Sequence, residues 1–294
     1  MNLTQLLDAL GPVGRLEGVP FPPRLLGAFR RKSITFCTGE TDEATLVFWF
    51  QSASFTIDLR LSHGNRTPLA MRQGWTGDTL WDAAQARMSW SVARSYEPHE
   101  IWPEPAELRF IGNAVLEFAP SGAYVEDWRQ LATTGPLLGL RLVELVDAAS
   151  GAAHAMDGGL IVAGEHMALA RSRRPEVDAR IAAAGSVGAA LERGAANADQ
   201  IESYEVSVAL GGEIVSYSTT SRRVGQPLME GGFAIEADGT VTLTDGVTGD
   251  RLRFVVDLHL PGFTFAATSD ASAAALAWIE RERPHVMPNG RVVR

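Results

Sequence analysis

The sequence predicts a mainly β protein: antiparallel, barrel-like sheets in two half-units joined by a helix, with short helices at both ends. Three observations predict it. Alternating segments rich in β-branched and aromatic residues recur along the chain, polar or Gly-containing turns separate them, and the long stretch with helical spacing falls between two such sets. That rhythm belongs to sandwiches and barrels rather than to βαβ units.

The chain opens with Leu3, Leu6, Leu7 and Leu10 at helical spacing and stops at Gly11-Pro12, which reads as a short amphipathic helix serving as lid or brace. Beyond the proline-rich residues 20–23 the period changes. Residues 45–50 are β-branched and aromatic and residues 55–61 alternate strictly, so both are strands, with Gln51-Ser52-Ala53-Ser54 between them as a hairpin connection. Further strands are expected over 86–92, 107–111, 114–118, 124–130, 140–146, 159–162 and 166–171. Gly112-Asn113, Pro120-Ser121-Gly122, Ser150-Gly151 and Gly164-Glu165 punctuate them. A first β unit over 1–174 follows.

Between 175 and 200, Val177, Ile181, Ala184, Val187 and Leu191 recur at spacings of three and four, the pattern of an amphipathic connecting helix. A second β unit is expected over 201–294, with strands at 202–210, 213–219, 232–236, 240–244 and 251–258. Its final helix, 271–283, should stop before Pro284, since proline cannot continue a helix comfortably. No close sequence repeat relates the two sets of strands.

Composition narrows the functional classes. With 46% hydrophobic and 21% charged residues, the 294-residue chain has ordinary globular make-up and should fold throughout. A net charge of -9 leaves no electrostatic footprint for phosphate backbones, which excludes nucleic acid as a primary partner. The single cysteine, Cys37, cannot form an internal disulfide, and a reducing compartment is its simplest setting. The first ten residues lack the basic start and apolar core of a secretory signal. No run approaches the ~18 apolar residues that span a bilayer, so a cytoplasmic protein without a membrane partner is expected. There is no Gly-rich phosphate loop, no Gly-x-Ser-x-Gly elbow and no His/Cys spacing of a zinc site. The six histidines are scattered with no pair at i,i+4, so neither a cofactor nor a metal is expected.

Chemistry-bearing residues are concentrated in the first unit. On the strand 55–61, Phe55, Ile57, Leu59 and Leu61 share one side, and Thr56, Asp58 and Arg60 the other. The charged side is either a solvated outer face or a hydrogen-bonded pair inside a barrel, because unpaired buried charge is very costly. The neighbouring arm carries Trp49 and Gln51 on one face, an aromatic wall and a two-way hydrogen-bonding amide suited to a ligand cavity. Tyr124, Glu126 and Trp128 also share a face, with Glu117 on the preceding strand. This row is either a cross-strand structural network or a pocket wall in which Glu126 acts as acceptor or general base. His166 opens its strand on the side of two alanines, either a structural histidine or a proton carrier near neutral pH.

These residues carry a resemblance. The stretches Leu26-Gly27-Ala28-Phe29-Arg30-Arg31-Lys32-Ser33-Ile34, Val47-Phe48-Trp49-Phe50-Gln51 and Ile57-Asp58-Leu59-Arg60-Leu61 look like the start of a group of bacterial lipocalin-like proteins. That group is similar in turn to a fungal two-barrel protein named for its interaction with a casein kinase. Gly74-Trp75-Thr76-Gly77, Tyr124-Val125-Glu126-Asp127-Trp128 and residues 159–166 follow in the expected order, so the resemblance covers roughly 24–172. It implies a calycin-type fold, strands closing around a cavity, with no shared catalytic residues to carry over.

Three functions compete. The first is binding of a small hydrophobic or aromatic molecule, motivated by the seven tryptophans and held by Trp49, Gln51, Trp75, Glu117 and Trp128. The second is a cofactor-free lyase, isomerase or hydrolase acting on an uncharged or anionic aromatic compound. There Arg60 orients the substrate, Glu126 or His166 takes a proton, Tyr124 returns one, and Asp58 is the weaker base because Arg60 lies beside it. The third is a structural or regulatory interaction module with a filled interior. Incompletely closed sheets would leave edges to cover, so a homodimer is a further expectation.

Overall fold

The protein is described by a computed structural model covering residues 1–98, 104–246, 248–265 and 268–289. It is mainly β, built from a closed eight-stranded antiparallel barrel and a second, curled, open sheet. Helix α1 (Leu3–Ala9) precedes both and is fixed by a capping box. The Asn2 side chain accepts from Gln5 N, while Gln5 Oε1 accepts from Asn2 N.

The barrel is formed by β1 (Gly27–Phe36), β3 (Leu46–Gln51), β4 (Phe55–Asn65), β5 (Gln73–Asp82), β6 (Arg87–Ser95), β7 (Ala106–Ile111), β8 (Ala114–Phe118) and β9 (Tyr124–Gln130). The two-residue β2 (Thr41–Asp42) hangs on β1. After β1–β3 the strands pair in chain order, and β1 closes on β9 from Phe29↔Gln130 to Phe36↔Tyr124. At this seam the register shifts between Arg31 and Ser33. A bulge there resets the alternation, so Arg31 and Ile34, three residues apart, both face the cavity described below.

The second sheet contains β10 (Thr134–Val146), β11 (Ala153–Ala163), β12 (His166–Arg171), β13 (Glu205–Ala209), β14 (Val215–Ser218), β15 (Gly231–Ile235), β16 (Val241–Asp245) and β17 (Arg251–Thr264). Their order is β14-β13-β12-β11-β10-β17-β16-β15. Period-two patterning gives this sheet two apolar faces. Ile161, Ala163, Ala168 and Ala170 join the core shared with the barrel, whereas Leu160, Val162, Met167 and Leu169 join a second core with Leu3, Leu6 and Leu10 of the N-terminal segment.

The barrel's outer wall is therefore not solvated where the second sheet lies on it. Phe48 stacks on Tyr217 of β14 at 5.3 Å, and Arg141 of β10 lies over the Phe55 ring at 5.2 Å. A Cβ on Gly159 would fall 2.5 Å from that same ring, so the close approach needs glycine. Asp257 of β17 accepts from Ser52 Oγ at 2.5 Å and from Ser54 N at 3.1 Å, tying the sheets at the β3–β4 hairpin. With its apolar face turned outward onto a second hydrophobic layer, β4 turns Asp58 and Arg60 inward.

Several expected boundaries shift. The sheets part between Gln130 and Thr134, so the expected division at 174 falls inside the second sheet, between β12 and β13. The reason is the 13-residue β10, which pairs with both β11 and the sequence-distant β17. The connecting helix is three helices, α2 (Pro175–Ala184), α3 (Val187–Glu192) and α4 (Ala198–Glu202). Gly185 ends the first in a left-handed conformation, φ 91°, and the Ser186 and Asn197 side chains cap the next two. Helix α5 (Ala273–Val286) runs through Pro284 instead of stopping before it. Proline removes one hydrogen bond near the C-terminal end, where the remaining turn is short. Strands β1 and β5 were not anticipated as strands at all. No helix among the described residues is long and apolar enough to cross a membrane.

Candidate functional site

The barrel encloses a cavity of about 370 Å³. Its lining is assembled from alternate positions of successive strands. β1 gives Arg31, Ile34 and Phe36; β3 gives Trp49; β4 gives Asp58 and Arg60; β5 gives Gln73 and Trp75; β6 gives Trp90; β8 gives Glu117; and β9 gives Tyr124, Glu126 and Trp128. Asp42, Thr45 and Glu104 complete it.

Aromatic contacts organise the apolar part. Phe29 stacks on Trp49 at 4.8 Å, Trp49 meets Trp90 and Trp128 edge-on at 6.2 and 5.7 Å, and Trp75 meets Trp90 at 6.0 Å. Such edge-to-face pairs hold rings in fixed orientations, which keeps the cavity from collapsing onto itself.

The charged part is built on two arginines, Arg31 paired with Glu126 and Asp42 and Arg60 paired with Asp58, beside the buried carboxyl of Glu117. Arg31, itself buried, donates to Glu126 Oε1 at 2.6 Å and to Asp42 Oδ2 at 3.2 Å. Arg60 Nε donates to Asp58 Oδ1 at 2.8 Å. Glu117 lies directly opposite Glu126 across β8 and β9, and its Oε2 accepts from the Trp128 indole at 3.2 Å. Among the described residues it forms no ion pair. Burial, reinforced by the charge of Glu126, pushes the Glu117 carboxyl well above the usual carboxylate range, against the opposing pull of Arg60. Glu117 therefore holds its proton to higher pH than an ordinary carboxyl does. Burial, then the charges of Glu117 and Glu126, likewise push the Tyr124 hydroxyl up, so it stays a donor.

Eight of the expected site residues thus line one cavity: Asp58, Arg60, Tyr124, Glu126, Trp49, Trp75, Glu117 and Trp128. Gln51 does not. Its amide nitrogen donates to the carbonyls of Ser52 and Phe55 and to Thr79 Oγ1, and its oxygen accepts from the Trp49 indole. It is committed to holding the hairpin and the Trp49 ring. His166 lies in the second sheet, where its Nδ1 accepts from Gly211 N at 3.2 Å and burial lowers its pKa. It is not among the residues that line this cavity. The expected ranking of bases also changes. Glu126 was preferred over Asp58 because an arginine accompanies Asp58, yet Arg31 grips Glu126 as closely.

Sequence reasoning did not single out Arg31, Gln73 or Trp90. Arg31 sits in the run Arg30-Arg31-Lys32, two residues after Phe29 on the same face of β1 and opposite the cavity-lining Trp128. Trp90 was inside an expected strand, and its spacing from Met88, fully buried, was the available signal.

No group of three or more His, Cys, Asp or Glu among the described residues is arranged to hold a metal ion. Comparison with models of protein families, with curated proteins and with solved structures finds no match.

Proposed function

We propose that this protein binds a small organic molecule, apolar or aromatic over most of its surface, inside the barrel. The observation that carries this reading is the cavity of about 370 Å³, walled by Trp49, Trp75, Trp90 and Trp128, with Arg31, Arg60, Asp58 and Glu126 held in ion pairs on its lining. Ligand pockets run to about 300–1,000 Å³ and combine apolar walls with a small number of placed polar groups. Protein interiors are otherwise close-packed, and an unfilled space of this size forfeits dispersion contacts that a folded core would normally make. The second sheet makes the contrast, since one of its faces is filled by Leu138, Leu140, Leu142 and Phe254 packed with the N-terminal leucines. The resemblance to lipocalin-like two-barrel proteins supports the same reading.

A thermal-shift and native mass-spectrometry screen of small aromatic compounds tests it. Ligands should raise the melting temperature of the wild type and form one-to-one complexes, and Ile34→Trp, which fills the cavity, should abolish both effects. Absence of any such ligand, or equal binding by the filled variant, would overturn the proposal.

The facing Glu117 and Glu126 favour a second reading, cofactor-free proton transfer to the bound molecule. A carboxyl whose proton burial holds more tightly than usual, facing one paired with an arginine, is the arrangement of an acid–base pair. Glu117 is the proton donor in that reading and Glu126 its charged neighbour. Here Glu117→Gln should retain ligand binding and lose turnover by about 2–4 orders of magnitude.

A further inference from the structure

The cavity's charges do not balance, and the imbalance has a sign. Three carboxyls on its wall, Asp58, Glu117 and Glu126, are each no more than 5% exposed. Against them stand two guanidiniums, both engaged: Arg60 with Asp58 at 2.8 Å, and Arg31 with Glu126 at 2.6 Å and Asp42 at 3.2 Å. Glu104 adds a further carboxylate to the lining. The groups that face Glu117 are Glu126 across the strand pair, Arg60 and Asp58 from β4, Tyr124 and Trp128 from β9, and the apolar Leu108 opposite on β7. Among the described residues the lining thus holds five carboxyls and two arginines, with Asp58, Glu117 and Glu126 buried and Asp42 and Glu104 nearer solvent.

An anion entering this space would have to break an existing ion pair to find a partner, and would face the surplus carboxylates while doing so. A cation finds Glu117 ready to receive it. The walls point the same way, because the face of an indole ring attracts a desolvated cation and tryptophan does so best among the aromatics. We propose that the cavity's ligand carries a positive charge: a compact organic cation, such as an ammonium group on an apolar or aromatic body, with the charge set against Glu117 inside the tryptophan walls. This rests on the binding reading above and adds the charge of the ligand to it. It also replaces the expectation of an uncharged or anionic aromatic compound.

The proton on Glu117 occupies the place of the missing cation. In the free protein two buried carboxyls are paired with arginines, and burial favours the protonated form of the third, since an unpaired buried charge is costly. When an ammonium ion arrives, the O–H bond of Glu117 breaks, its electron pair stays on the carboxylate, and the proton passes to buffer. Binding is thus an exchange of one positive charge for another, and should release protons.

Three probes sharing one body separate the possibilities: phenylbutylamine, phenylbutanol and phenylbutyrate, titrated calorimetrically near pH 7 in two buffers of different ionisation enthalpy. The amine should bind at least about tenfold more tightly than the alcohol, most of that difference coming from its charge-assisted contact with Glu117, and the carboxylate more weakly than the alcohol. Only the amine's heat should depend on the buffer, in the direction of proton release. In Glu117→Gln the amine and the alcohol should come within about threefold of each other and the buffer dependence should vanish. Tighter or equal binding of the alcohol or the carboxylate to the wild type would overturn the cation inference while leaving a binding cavity intact. Amine preference surviving in Glu117→Gln would overturn the role of Glu117. Failure of all three probes would overturn the binding reading and this inference with it. The wild-type comparison stands without the variant.

Discussion

Replacing Glu117 by Gln should stabilise the protein, and by an amount that grows with pH. The side chain is buried, forms no ion pair among the described residues and faces Glu126, so its proton is retained on folding well above the usual carboxylate range. In the unfolded chain the same carboxyl ionises near pH 4.3. Between those two values the folded state binds one more proton than the unfolded state, so wild-type stability falls as pH rises, by about 1.4 kcal/mol per pH unit. Gln carries no proton to lose, and its carbonyl still accepts from the Trp128 indole. The gap between variant and wild type should therefore be small near pH 4, open in favour of the variant above it, and widen by up to about 2.7 kcal/mol between pH 5 and 7. It flattens only once the folded-state value is passed. Urea unfolding followed by tryptophan fluorescence over this range reads the gap directly. A gap that stays constant with pH, or one that closes as pH rises, would refute the assignment of Glu117 as a buried neutral acid.

Other perturbations test other parts of the account. Arg31→Met should cost about 3–5 kcal/mol because it strands a buried Glu126, and Arg31→Met with Glu126→Gln should recover most of that loss; additive losses in the unfolding cycle would contradict the ion pair. Arg173, 1% exposed, donates to the carbonyls of Ile201, Ser95 and Tyr96 between the Tyr96 and Tyr204 rings. Arg173→Lys should therefore lose at least about 2 kcal/mol despite keeping its charge, since ammonium cannot reproduce the planar fork; a change below measurement error would argue otherwise. Gly139→Ala places a Cβ 1.9 Å from Ser52 Oγ at the junction of the two sheets and should lower the denaturation midpoint, with a loss of about 1–3 kcal/mol. An unchanged midpoint would mean the sheets are not in this contact.

Where alternation is unbroken, the sequence carries the site. Tyr124, Glu126 and Trp128 in β9, and Asp58 and Arg60 in β4, follow strict period two, so one inward residue fixes the direction of the rest. What alternation cannot supply is which side is inside. In β4 the apolar residues look like the barrel interior and are in fact its outer wall, because a second sheet covers them with its own apolar face. In β1 unbroken alternation from Phe29 carries Arg31 inward, whereas the bulge between Arg31 and Ser33 resets the period and hides the inward direction of Ile34. His166 was grouped with the barrel by proximity along the chain. The pairings of its strand with β11 and β13 assign it to the other sheet, and pairings of that kind leave no local mark. The interrupted connecting helix was legible in part, since Gly185-Ser186 is a stop followed by a cap, but the continuous apolar spacing through Val187 and Leu191 outweighed it.

The central claim is that the barrel interior is a binding site, and a crystal structure of the protein soaked with a compound that raises its melting temperature tests it most directly. The account predicts density for that compound inside the barrel, in contact with Trp49, Trp75, Trp90 and Trp128 and within hydrogen-bonding reach of Glu117. Density for the compound elsewhere on the molecule, with the barrel interior closed by its own side chains, would contradict it.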